Sequence, residues 1–452
     1  MTLDADAVNM TFLQLVEERA RLGVAVRVLL WDNTLMPDFA DEDNKALPKG
    51  AEARRLNENA KRALEKLRTV KKLDVYCNLD DNTKGYVSGV VASATDNAGV
   101  HSYGAHHQKI LLVHGKEGLV AFCGGIDIDP NRRPTGMFLH DVHVRVQGTA
   151  AEELWKIAEK RWEHAEDDGN PPTPASIGVL APPSFAKPTY APYLATAVQT
   201  VGNPTIAKST PNTLWPAVKE AIARAERFIY IEDQYFWSLD LVDELVRASK
   251  RLRHITILVP EALTGEQPQR RQEAISELVK RGGPGIEEKI GIFESTYSGH
   301  AYVHAKLFIM DDEYAIVGSA NANNRGYFLD SEAAVCVTER EARNVNGTRL
   351  GEWFTIEGNF ARRLRMHLWA EHLTLDLGQE ELFDGVGAVV HWRRLMGPAD
   401  PRPPFRQKDD VAPYRAINLR NRSDRELWWR APYEDWKPKL PPAEDAVADP
   451  KD

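Results

Sequence analysis

The sequence predicts a mixed α/β protein of two pseudo-twofold-related α/β/α lobes, with the functional site where the lobes meet. Three observations carry this. Amphipathic helical stretches alternate with short apolar strands along most of the chain. A strand–turn–strand unit headed by histidine, one spacer and lysine occurs twice, at His107–Lys109 and His304–Lys306. A Pro-rich stretch, "DDGNPPTPASIGVLAPPSFAKPTYAP", separates the two occurrences. The expected organisation is a first lobe over 1–165, a connection over 166–192, a second lobe over 193–395, and an extended, partly disordered tail over 396–452. Trp428, Trp429 and Trp436 could dock that tail on the body.

In the first lobe the 3.6-residue apolar period predicts a helix over 10–22, followed by a buried strand in "GVAVRVLLWD". An Ala/Glu/Lys/Arg-rich helix is predicted over 51–67, and a short strand in "DVYCNL". "KILLVHG" and "LVAFCGG" read as strands joined by the turn residues of 115–118. "DVHVRVQG" alternates as a strand, and a helix follows over 149–164. The second lobe opens with a helix over 215–227 and strand "FIYIEDQYF", then a helix over 239–251 and strand "HITILVP". A helix over 267–281, strand "IGIFES", the second histidine–lysine unit, strand "EAAVCV" and a helix over 360–373 complete it.

Aligning the halves exposes a gap. The second lobe has a helix and the strand "FIYIEDQYF" ahead of the pair that matches the chain's first helix and strand. The first lobe has no counterpart, so one helix and one strand are missing from its start. Either the start lies too far downstream or the lobe has lost a strand.

Composition narrows the function classes. A net charge of −9 weighs against a protein that grips nucleic acid through a broad basic field. Three cysteines, Cys77, Cys123 and Cys336, make neither a disulfide framework nor a metal-site spacing. No apolar run approaches the length of a membrane span, and "MTLDADAVNM" lacks a signal-peptide pattern. A cytoplasmic protein is expected, with a peripheral place at a membrane as the alternative.

The repeated unit suits phosphodiester chemistry. In each half, histidine and lysine two apart fall on one face of a strand, and the unit closes on a small-residue corner: Gly124-Gly125 with Asp127, and Gly318-Ser319 with Asn321. Lys109 and Lys306 can neutralise the anionic oxygens as charge builds in the transition state. One imidazole attacks phosphorus and forms a phosphohistidine; the other protonates the leaving oxygen and then activates water or an alcohol. With lysines carrying the electrostatic load, no metal or other cofactor is called for. Asn321 and Ser319 could bind phosphoryl oxygens, with Asp127 and Gly125 as the matching first-half corner. Each ring needs a partner to fix its tautomer. Asp141 in "FLHDVHVRV" and Glu332 in "LDSEAAV", each following the motif of its own half, are the candidates, with Asp330 in reserve. His101, His106, His114, His140 and His143 read as structural or exposed.

At these residues the chain resembles the phospholipase D superfamily, whose signature HxKxxxxD occurs twice, each followed by a GG or GS corner and an Asn or Asp. "HHQK", "GGIDI", "HDVHVRVQG", "YIEDQYF", "HAKLFIMD" and "GSANANNRG" carry the likeness, over about residues 10 to 375. "YIEDQYF" places Asp233 where the family element has Asn, and His114 stands where the first signature closes on Asp, whereas Asp311 keeps that Asp in the second. The resemblance implies two α/β lobes with the site between them, His107 as nucleophile and His304 as acid. It implies a glycerophospholipid substrate, met at a membrane surface, with water or a primary alcohol as acceptor. Competing expectations are a phosphodiesterase of a soluble or nucleic-acid diester, a cardiolipin synthase-like role, and a catalytically inactive binding or structural module.

Overall fold

The computed structural model describes residues 12–30, 73–77, 106–116, 118–127, 139–167, 193–201, 211–260, 267–295, 302–339, 360–373, 375, 377, 380–393 and 414–416. The predicted helix over 51–67, the Pro-rich connection beyond residue 167 and the three tail tryptophans lie outside the described residues.

The first half comprises helix α1 (Phe12–Arg21) and strands β1 (Val26–Leu30), β2 (Leu73–Cys77), β3 (Ile110–Gly115), β4 (Gly118–Gly124), β5 (Leu139–His140) and β6 (His143–Gln147), then helix α2 (Thr149–Asp167). The second half begins with β7 (Tyr193–Thr200), α3 (Leu214–Arg224), β8 (Phe228–Glu232), α4 (Leu239–Ser249), β9 (His254–Pro260) and α5 (Gln267–Gly282). It continues through α6 (Ile286–Lys289), β10 (Ile290–Ser295), β11 (Tyr302–Val303), β12 (Leu307–Met310), β13 (Tyr314–Gly318) and β14 (Glu332–Glu339). Helices α7 (Phe360–Leu373) and α8 (Val389–Arg393) and strand β15 (Tyr414–Ala416) close the described chain.

One mixed sheet dominates, in the order β15-β10-β9-β8-β12-β13-β14-β7. Its central strand β8, "FIYIE", is buried at every position. Ile229 and Ile231 face a core built with Leu214 and Val218 of α3, Leu241 and Leu245 of α4 and Leu278 of α5. Phe228 and Tyr230 face a second core. That second core draws Ala121 and Cys123 from β4, Val144 and Val146 from β6 and Leu154 from α2 together with Trp369 and Trp392 of the second half. The two halves are thus joined by one continuous apolar core. Strand β7 was not predicted from sequence; it pairs antiparallel with β14 along its whole length. Its Ala- and Thr-rich sequence gives little alternation to read. The tail supplies β15, antiparallel to β10 at the sheet edge.

The gap in the first half has a structural consequence. In the second half β8 pairs parallel with β9 and antiparallel with β12, joining the parallel strands to the β12–β13–β14 meander. In the first half the matching strands form two separate sheets, β1-β2 and β3-β4-β6. Among the described residues, no strand stands between β1 and β3 to play the part of β8.

The closing residues of the two motifs also differ in their surroundings. Asp311, which closes the second motif, accepts backbone N–H bonds from Glu226 (2.6 Å), Arg227 (2.9 Å) and Phe228 (2.8 Å), and so pins the start of β8. The first half presents no such strand among the described residues, and His114 lies exposed near the end of β3. Asp311→Ala should therefore cost about 2 kcal/mol or more, by stranding backbone donors at a buried strand start. His114→Asp should change stability by no more than about 0.5 kcal/mol, as an exposed substitution does. Thermal unfolding of both variants checks this.

Candidate functional site between the halves

The motif residues sit just ahead of β3 and β12, not within them, because their backbone pairs across to the other half. His107 N–H donates to Ser331 O (3.0 Å), and His304 N–H donates to His140 O (2.8 Å). Strands β11 and β5 pair in parallel, and His106 bridges Ser331 in the same sense. The residue after each acceptor then supplies the carboxylate. Asp141 Oδ2 lies 2.7 Å from His304 Nδ1, and Glu332 Oε1 lies 2.9 Å from His107 Nδ1. The expected pairing within each half is thereby corrected: every imidazole takes its carboxylate from the opposite half. The reason is the docking of the halves, which sets each motif segment beside the other half's β5 or β14. Asp330, the reserve, instead pairs with Arg325 (2.8 Å).

The lysines follow the same symmetry. Lys109 Nζ donates to His107 O (2.7 Å), and Lys306 Nζ donates to His304 O. Burial, only partly offset by Asp141, lowers the Lys306 pKa to about 8. Burial raises that of Asp141 to about 6, against the opposing pull of Lys306.

The small-residue corners do a different job from the one the sequence suggested. Ser319 is fully buried; its hydroxyl donates to Glu332 Oε2 and accepts from Ala333 N–H (3.1 Å). It orients the carboxylate that orients His107, and is spent before any substrate arrives. At Gly125 a Cβ would collide with the Asp141 carboxylate, so glycine there makes room for the partner of His304. Gly125→Ala should displace Asp141 and lower turnover about tenfold or more while the fold persists, as steady-state kinetics beside a thermal melt would register. Asp127 forms an ion pair with Lys109 (3.2 Å). Asn321, its counterpart, is buried, and its side-chain oxygen has no hydrogen-bond partner among the described residues.

Asp233 shows why Asp serves where the family element has Asn. Among the described residues its carboxylate accepts backbone N–H bonds alone, from Tyr235 (2.7 Å), Phe236 (3.0 Å) and Ala322 (2.7 Å). It ties the end of β8 to the corner that presents Asn321. A single π-helical turn, Arg325–Leu329, follows that corner.

Sequence reasoning missed a buried group next to the site. His140 Nε2 lies 2.7 Å from Glu232 Oε2, and His372 Nε2 lies 3.0 Å from Glu232 Oε1. Among the described residues these three are the group whose donors could hold a metal ion.

Comparison with known proteins shows what the chain is similar to. A family model described as "Cardiolipin synthase, PLD-like domain" matches residues 218–347. Phospholipase D A of Dictyostelium discoideum is 24% identical over 443 residues, spanning 80% of this chain and 31% of that protein. Phospholipase D alpha 4 of Arabidopsis thaliana is 24% identical over 473 residues, spanning 78% of this chain and 58% of its own. The chain is thus similar to members of the phospholipase D superfamily. It spans between about a third and three-fifths of the length of these superfamily relatives. Among solved structures, the phosphatidylserine synthase of Haemophilus influenzae Rd KW20 aligns at a TM-score of 0.43 and 13% identity, over 73% of this chain and 80% of that one.

Proposed function

We propose that this chain is a phosphodiesterase or phosphatidyltransferase acting on the head-group diester of glycerophospholipids through a phosphohistidine. The observation that carries the reading is the crossed pair of imidazole–carboxylate couples, each with a lysine two residues on. With Nδ1 of His107 committed to Glu332, Nε2 is left as the nitrogen that attacks phosphorus. The P–O bond to the head group breaks, and the departing oxygen takes a proton from His304. His304 then removes a proton from water or a primary alcohol, whose oxygen attacks phosphorus and breaks the P–N bond. Lys109, Lys306 and the Asn321 amide bind the anionic oxygens, so the electrostatic work is assigned to side chains and requires no metal. No helix among the described residues is long and apolar enough to cross a membrane, and the reading adds contact with a membrane surface from the cytoplasm.

Activity should be bell-shaped in pH. Protonation of Asp141, whose pKa is about 6, removes the carboxylate that holds His304, so kcat/KM should rise with pH through that range. Deprotonation of Lys306, at about 8, removes a phosphate-binding charge, so kcat/KM should fall above it.

The test is a mixed phospholipid panel, with and without a primary alcohol, with products identified by mass. Phosphatidic acid or a phosphatidyl alcohol is the expected product. Cleavage of only soluble diesters would move the substrate class, and no cleavage of any diester would overturn the reading.

A further inference from the structure

The site is nearly symmetric, but what stands behind its two carboxylates is not. The residue preceding Glu332 is Ser331, fully buried; the residue preceding Asp141 is His140. Its backbone carbonyl already receives the N–H of His304. Its side chain spans two acids, with Nε2 2.7 Å from Glu232 and Nδ1 3.2 Å from Glu371. Glu232 is fully buried on β8 and also takes the Tyr230 hydroxyl (2.6 Å) and His372 Nε2 (3.0 Å). The His140 and His372 rings meet edge to face at 4.5 Å between centroids. One side chain of the first half is therefore locked to β8 and α7 of the second, one residue from the carboxylate that holds His304.

We infer that His140 is a positioning residue: its lock on Glu232, Glu371 and His372 fixes Asp141 against His304, and so sets the proton affinity of one histidine of the pair and not the other. Among the described residues, the group behind Glu332 is the neutral hydroxyl of Ser319. The His140 lock supplies a difference between two couples that the repeated motif makes alike.

Charge supports the geometry. Burial alone would depress the His140 pKa, yet the Glu232 carboxylate raises it to about 10. Burial would raise Glu232, but the two histidines hold it well below the usual carboxylate range. Burial keeps His372 below its ordinary value. The buried carboxylate accepts hydrogen bonds from both rings and from the Tyr230 hydroxyl. Other charged groups facing the Asp141–His304 corner are Lys306 on the His304 segment, with Lys109, Asp127 and Asp233 around it.

The inference deepens the proposed function and rests on its assignment of His304 as the acid, but its test does not need the substrate. Ring-labelled histidines of the full chain are titrated by NMR in wild type, His140→Gln, Glu371→Gln and Asp141→Asn. In His140→Gln the His304 titration should move down by about one pH unit, toward its position in Asp141→Asn, while His107 stays put. Adding His140→Gln to Asp141→Asn should move it no further. Turnover on whichever diester the panel identifies should fall about tenfold, with KM little changed. If His140→Gln does not fold, Glu371→Gln, which removes one outer partner, should give a smaller shift in the same direction. An unmoved His304, or equal movement of His107 and His304, overturns the inference. A stoichiometric divalent metal in purified wild type that is lost in His140→Gln also overturns it, because the cluster would then be a metal site. Absence of phosphodiesterase activity in wild type would defeat the proposed function and leave the NMR result standing.

Discussion

Replacing His107 with alanine should lower phosphodiester turnover by about three orders of magnitude or more. The substitution removes the imidazole whose Nδ1 is held by Glu332, and no other side chain occupies the same relation to that carboxylate. Stability should change little. The His107 side chain is 27% exposed, so little apolar burial is lost. Glu332, however, keeps the Ser319 hydroxyl alone among the described side chains, so a small loss from the stranded carboxylate is expected. Steady-state rates beside a thermal melt separate the two effects. A large loss of stability with turnover retained in the folded fraction would place His107 in the fold and not in the chemistry.

The second large effect is expected at Glu332→Gln. Glu332 is fully buried at the start of β14, with one oxygen 2.9 Å and the other 3.1 Å from His107 Nδ1. Glutamine fits the same space but carries no charge. It also offers an N–H₂ that can donate to Nδ1 and leave the proton on Nε2, the wrong tautomer for attack. Loss of an orienting carboxylate behind a reacting histidine costs about 10²–10⁴ in kcat in comparable arrangements. KM should change little, because Glu332 contacts the histidine and not the substrate. The melting temperature should hold or rise, since a buried charge has been removed. A variant of unchanged kcat would show that Glu332 serves packing alone.

The recurrence of histidine, spacer and lysine was readable because each copy is local: a motif, a turn and a corner within about twenty residues. Strands such as β8 and β9 were readable for a similar reason, being continuous apolar runs. What could not be read was anything set by how the halves dock. Asp141 meets His304 across 163 residues and Glu332 meets His107 across 225, so the crossed pairing has no sequence signal. Ser319 and Gly125 looked like phosphate contacts because small residues line such corners, yet their neighbours in space are the two carboxylates. His140 looked bland because its partner Glu232 lies 92 residues away, and Glu232 meets His372 across another 140. The His114 departure and the missing strand were both visible in sequence. The Asp311 hydrogen bonds to the start of β8 show what the closing Asp does in the second motif.

The most direct test of the whole account is to trap the intermediate. The protein is mixed with a phospholipid labelled at the phosphate, quenched within a turnover, denatured and digested, and the labelled peptide is sequenced. The account predicts label that is acid-labile and base-stable, as a phosphoimidazole is, on the peptide bearing His107, and none in His107→Ala. Label on the His304 peptide would reverse the two roles, and label on neither histidine, in a protein that turns the lipid over, would contradict the account.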